Sequence, residues 1–173
     1  MNYLNRINLF LIVIFTALNC LAGIRAYKPQ DLSAVCEIMK GQWAKLTTIP
    51  TYNQPMMDSM FTKQVPFDPS YKDKKLHIIV YEVDGQVVGF ATYYYPSATI
   101  GHVELLAIAQ THQSKGLGKQ MMEYIQQEFM HNNAKSIQLY VYPSNPKAID
   151  FYKHIGFNVK NRAFQHWLLS KLL

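Results

Sequence analysis

Cysteine is scarce in this chain of 173 residues: there are two, Cys20 and Cys36. One sits in an apolar N-terminal stretch and the other in an amphipathic run, so no disulfide framework is expected. No Cys/His spacing reads as a metal site, and none is expected. Charge is also thin. Only 16% of residues are charged against 49% hydrophobic, which excludes a disordered, solvated chain. Acidic side chains number 11 against 17 Lys and Arg, a formal net charge of +6. The excess is scattered rather than gathered in a stripe. That argues against nucleic acid and suits an anionic cofactor or substrate. Repeats and low-complexity tracts are absent, and the length allows one domain of about 150 residues and little else.

What is present begins with a separate leader. Residues 1–23 place Arg6 before a run of about 14 mostly apolar residues, closed by the small residues Ala22 and Gly23. This is the grammar of a secretory signal peptide, and the run is short for a membrane span. An uncleaved anchor, giving membrane contact through residues 1–23, and an extra helix from an early start remain as competing readings. The leader points to export or tethering.

The remaining chain, 24–173, reads as alternating strands and helices. A strand at Ile24–Tyr27 precedes a helix opened by Pro29 and Asp31 and running to about Leu46, with Leu32, Val35, Ile38 and Met39 on one face. Residues 47–71 are poorly patterned and hold four prolines, with a short helix around Met56–Lys63; a substrate-facing loop and a plain connector are equally open. Asp84-Gly85 joins Leu76–Val83 to Gln86–Tyr95 as a hairpin. Tyr93 and Tyr95 share one face and Tyr94 the other, so sheet packing competes with an aromatic acceptor pocket. A strand at His102–Ala109 leads to a helix from Gly116 to about His131, whose four-residue spacing marks Met121 as core. Ser136–Tyr142, a helix at Pro146–Ile155, and strands at Phe157–Lys160 and Phe164–Ser170 complete an α/β domain with a mixed, partly parallel sheet and flanking helices.

Two segments carry chemistry. Gln113-Ser114-Lys115-Gly116-Leu117-Gly118-Lys119 lies between a strand and an amphipathic helix. The first helical N–H groups lack internal partners, and the helix dipole puts partial positive charge there. Glycines allow close backbone approach to a pyrophosphate, and Lys115 and Lys119 add charge. A tight turn alone would give the same letters. A dinucleotide fingerprint would need glycine where Met121 stands, and no Walker sequence is present. The second segment is Asn145 to Phe157, where Ala148, Tyr152 and Ile155 share a helical face. A tyrosine so placed is either a core residue or a proton donor to a leaving thiolate.

Together the two segments resemble those of the GNAT superfamily of N-acetyltransferases. Gln113-xx-Gly116-x-Gly118 is similar to the family's acetyl-CoA motif, and Asn145-xx-Ala148-xx-Phe151-Tyr152-xxx-Gly156-Phe157 to its second motif. The resemblance covers residues 24–173 and implies the acyl-CoA N-acyltransferase fold, with acetyl-CoA as co-substrate and an amine as acceptor. It implies that backbone amides of Gln113, Ser114, Lys115, Gly116, Leu117, Gly118 and Lys119 bind the pyrophosphate. Leu106, Ala107 and Ile108 would pair with the pantetheine arm on a strand opened by a bulge, and Asn145 would touch that arm or an ordered water. Tyr152 would protonate the departing thiolate. Glu104 and His102, two apart and on one strand face, are the candidates for the base, with bulk solvent as the alternative. The transfer would be direct, without an acyl-enzyme. A non-catalytic acyl-CoA sensor or an interaction domain on the same fold stays open, as does a homodimer. The need for an intracellular coenzyme points to the cytoplasm, against the leader.

Overall fold

The computed structural model describes residues 23–46, 51–163 and 166–173. The leader, with its expected processing or anchoring, lies outside them except for Gly23, and so does Phe164. The elements in chain order are β1 (Gly23–Ala26), α1 (Leu32–Lys40), α2 (Trp43–Leu46), α3 (Gln54–Lys63), β2 (His77–Val83), β3 (Gln86–Ser97), β4 (Ile100–Ile108), α4 (Leu117–His131), β5 (Ser136–Val141), α5 (Pro146–His154), β6 (Asn158–Arg162) and β7 (Trp167–Leu172). Short 3-10 turns sit at Pro29–Asp31, Pro69–Tyr71 and Gln110–His112.

One seven-stranded sheet takes the order β1-β2-β3-β4-β5-β7-β6. Neighbours are antiparallel except β4 and β5, the one parallel pair among the described residues. The β2–β3 hairpin turns on Asp84 and Gly85, both with positive φ (52° and 76°), as a primed two-residue turn requires. The helix expected to run to Leu46 breaks at Gly41, the residue with most backbone freedom to lose. Nor does Asp31 cap that helix with its side chain. It is buried and takes both Nη atoms of Arg25, the nearer at 2.7 Å. The guanidinium also meets Glu82 at 2.6 Å and holds Asp31 below the usual carboxylate range.

Helices cover both sheet faces. On one, Met121, Ile125 and Phe129 of α4 and Ile149 of α5 pack on Val103, Ile137 and Leu139. On the other, Val35 and Met39 of α1 and Met57 and Phe61 of α3 pack on Ile78, Phe90 and Leu105. Fully burying a side chain of this size stabilises by about 1.5–3 kcal/mol. The stretch read as unpatterned therefore contains a core helix. Asn53 caps it by accepting from Met56 N, and Pro55 stands in its first turn. Tyr93 and Tyr95 pack against Phe129, so they serve the core rather than an acceptor pocket.

The feature that positions the site is an irregularity in β4. Thr92 pairs with Leu105 but Tyr93 with Val103, so Glu104 is an extra residue on the β4 side: a β-bulge. Its effect on alternation is visible in the packing. Val103 joins the α4/α5 core while Leu105, two residues on, joins the α1/α3 core. Beside the bulge, β4 parts from β5. Their pairing runs from Ile100–Ser136 to Val103–Leu139 and stops, although both strands continue.

Candidate active site

The parted strands enclose a cleft of about 460 Å³. Its floor is β4 from Val103 to Ile108, its far wall is Tyr140 to Tyr142 and the start of α5, and its end is the loop entering α4. Ala109 N donates to Val88 O, which fixes the parity of β4 against β3. Leu105 and Ala107 also direct their main-chain groups to β3, and Leu106 and Ile108 direct theirs into the opening. The Ile108 carbonyl is already taken by the side-chain amides of Gln42, at 2.6 Å, and Gln113, at 3.0 Å. Leu106 is therefore the floor residue whose N–H and C=O remain for a strand-like ligand.

At the loop, Ser114 and Gly116 adopt left-handed conformations (φ 61° and 80°), with Gly116 at the N-cap of α4. This coils the backbone before the helix, and the amides of residues 114–119 donate to nothing among the described residues. The Gln113 amide does not belong with them, because it donates to Gln110 O at 3.4 Å. Gln113 acts through its side chain instead, tying the loop to Ile108 and Gln42. A Cβ on Gly118 would sit 3.6 Å from the Phe151 ring, at the cleft wall. Lys45, Lys119 and Lys147 line the same cleft, whereas Lys115 does not. Unpaired amides, a helix start and these ammonium groups favour a polyanion.

Asn145 lines the cleft, but its side chain is engaged. It accepts from Ala148 N as the cap of α5 and donates to Lys45 O at 3.2 Å. Together with Gln42 on Ile108, this bond makes Gln42–Leu46 a strap across both walls. No sequence signal marked Gln42, because its partners lie 66 and 71 residues away.

Tyr152 is buried on α5 and lines the cleft, with Phe151 and Phe157 against its ring. Its hydroxyl has no hydrogen-bond partner among the described residues, and burial pushes the phenol above its ordinary value, so it holds its proton. Glu104 stands at the bulge, on the β4 floor. Its Oε1 accepts from Phe67 N at 2.5 Å, and its Oε2 is buried with no partner. Burial raises its carboxyl to about 7, against the hydrogen bond from the Phe67 amide, which pulls it down.

His102 does face the same side of β4 as Glu104, but it does not line the cleft. It is buried between the rings of Tyr94 and Tyr140, at 5.0 and 5.4 Å, and burial lowers it to about 4, leaving it neutral near pH 7. Cys36 is buried near Asp58, away from the cleft. Among the described residues no group of three or more His, Cys, Asp or Glu could hold a metal ion.

Known proteins were then compared with the chain. Peptidyl-lysine N-acetyltransferase YiaC of Escherichia coli strain K12 is 26% identical over 155 residues, 85% of this chain and 94% of that one. The catalytic subunit naa20 of the Schizosaccharomyces pombe N-terminal acetyltransferase B complex is 35% identical over 66 residues, 38% of this chain; the match spans only 37% of that subunit. Among solved structures, the PaiA N-acetyltransferase from Thermoplasma acidophilum in complex with coenzyme A matches with a TM-score of 0.67 at 16% identity, over 88% of this chain and 99% of that one. A model of the acetyltransferase (GNAT) family matches residues 33–157. That span runs from α1 past the end of α5 and takes in the floor, both walls and the anion loop of the cleft. The chain belongs to the GNAT acetyltransferase family.

Proposed function

We propose that this chain transfers an acetyl group from acetyl-CoA to a primary amine, of a small molecule or a protein, by direct attack in a ternary complex. One observation carries the reading. A single cleft has unpaired amides at a helix start, and is lined as well by a protonated tyrosine and by a carboxyl whose ionisation lies at about 7. The residues fit the coenzyme. Residues 114–119 with Lys119 and Lys147 suit its pyrophosphate, and the Leu106 C=O suits an amide N–H of its pantetheine arm. When bound, the coenzyme supplies an acetyl thioester.

The chain's own groups do the rest. Glu104, on the bulge, takes a proton from the acceptor ammonium, directly or through one water, and the neutral amine attacks the thioester carbonyl. Its ionisation near 7 matches that task at physiological pH. His102 is poorly suited, being off the cleft and a weak base. The Leu106 N–H polarises the acetyl carbonyl, and Tyr152 returns a proton to the leaving sulfur. The phenol is a weaker acid than a free thiol, but the dry wall that raises one raises the other. Holding amine and thioester in line contributes further.

Thiol release measured with a panel of amines, beside calorimetry with coenzyme A, tests the assignment. Turnover with at least one amine is expected. Binding without turnover would make the protein an acyl-CoA sensor, and no binding would remove the reading altogether. Tyr152→Phe should lower kcat by about 10- to 100-fold and leave coenzyme A affinity unchanged.

A further inference from the structure

The turn Pro66-Phe67-Asp68-Pro69 approaches the cleft from the connection between α3 and β2. Its residue types carry no catalytic signal. Its main chain, however, points at Glu104: the Phe67 amide donates to Oε1 of the carboxylate. The turn is stiff. Prolines fix φ at both ends, and Asp68 caps the following 3-10 turn by accepting from Ser70 N at 2.9 Å. A donor fixed on Oε1 leaves the other oxygen free, and Oε2 is the buried oxygen without a partner.

We propose that this turn is a positioning element for the base: the Phe67 amide holds Oε1 of Glu104, which leaves Oε2 as the oxygen that takes the acceptor's proton. The inference rests on the reading of Glu104 as the base. Mutual orientation follows from geometry. The bulge aims the side chain, and the turn, from 37 residues earlier, locks its rotation. The other titratable groups near the carboxylate are Asp68 on the turn, Tyr71 after it, Tyr94 on β3, His102 on β4, Tyr140 on β5, and Tyr152 and Lys45 across the cleft. Of these, the Asp68 charge opposes ionisation of Glu104, and the Phe67 amide favours it. The turn therefore sets the pH at which the base is ready, as well as its direction.

Replacing Phe67 with proline deletes the N–H and keeps the turn's prolyl character. Phe67→Ala deletes the exposed ring and keeps the N–H. The pH dependence of kcat/KM should rise with a midpoint near 7 in the natural protein and in Phe67→Ala. In Phe67→Pro the midpoint should move up by about one pH unit, lowering the rate at pH 7 about five-fold and restoring it at pH 9. Identical midpoints in all three overturn the positioning role. A Glu104→Gln variant that keeps full rate overturns instead the base assignment beneath it. NMR of the natural full chain gives a readout without activity or a fragile variant. The Phe67 amide proton should shift with a midpoint near 7, and not in Glu104→Gln. Amide shifts indifferent to pH across that range would also sink the proposal.

Discussion

Glu104 carries conflicting demands. Burial asks it to stay protonated, and the Phe67 main-chain donor asks it to ionise. The folded protein holds the proton up to about 7, the unfolded chain only to about 4.5. Rising pH between those values therefore weakens the fold, and the whole penalty is present above the folded value. Glu104→Gln should stabilise the protein at pH 8, on the order of 2 kcal/mol, and hardly at pH 4; melting at the two pH values checks this. His102 has the opposite sign. Its contribution is intact above about 6.5 and fades as pH falls towards 4, because the unfolded imidazole gains a proton that the buried one refuses. Acid melting of His102→Phe should lack that part of the decline. That Glu104 and Tyr152 are candidates was legible because side-chain chemistry is written in residue letters. The Phe67 amide was not, since every residue but proline has an N–H, and neither was the place of His102 outside the cleft, which depends on what covers it.

At the scale of elements, the loop into α4 and the strands beside it depend on small residues in different ways. Gly118→Leu would place a branched side chain at the wall formed by Phe151 and Ile108, where the cleft narrows. Coenzyme A affinity should fall at least about ten-fold by calorimetry, with little change in melting temperature. Gly101 faces the reverse constraint: a Cβ there would lie 2.5 Å from the Phe129 ring. Gly101→Ala should cost about 1–3 kcal/mol in urea unfolding while binding survives in the folded fraction. Most elements could be located from periodicity and punctuation, within a residue or two. Asp84-Gly85 gave the hairpin, Pro146 and Gly156 bracketed α5, and the four-residue apolar spacing gave α4. The break at Gly41 and the burial of α3 were missed. A single glycine is tolerated in many helices, and α3 shows its apolar face only through Met57, Met60 and Phe61 among polar neighbours.

The whole molecule is two half-sheets joined by the short β4–β5 pairing, with the Gln42–Leu46 strap as a second bridge. A ligand in the cleft touches both halves and should bind the folded chain alone. Coenzyme A at about 100 times its dissociation constant should add about 2.7 kcal/mol, a rise of about 5–10 °C in Tm for a chain of this size. A scan with and without the coenzyme reads this directly. Motif order and spacing made the family legible, because the strand, loop and helix around the anion site are contiguous. The insertion of β7 between β5 and β6 was not, since strand order is set by long-range pairing that leaves no local mark.

Take one residue out of β4 at position 104 and its side chains would alternate between the two cores without interruption. Nothing would then turn the strand away from β5. The two would zip together along their length, and the sheet would become continuous, better bonded and blind. The protein's capacity to hold a guest thus comes from a single surplus residue, and that same surplus residue is the one placed to act on what is held.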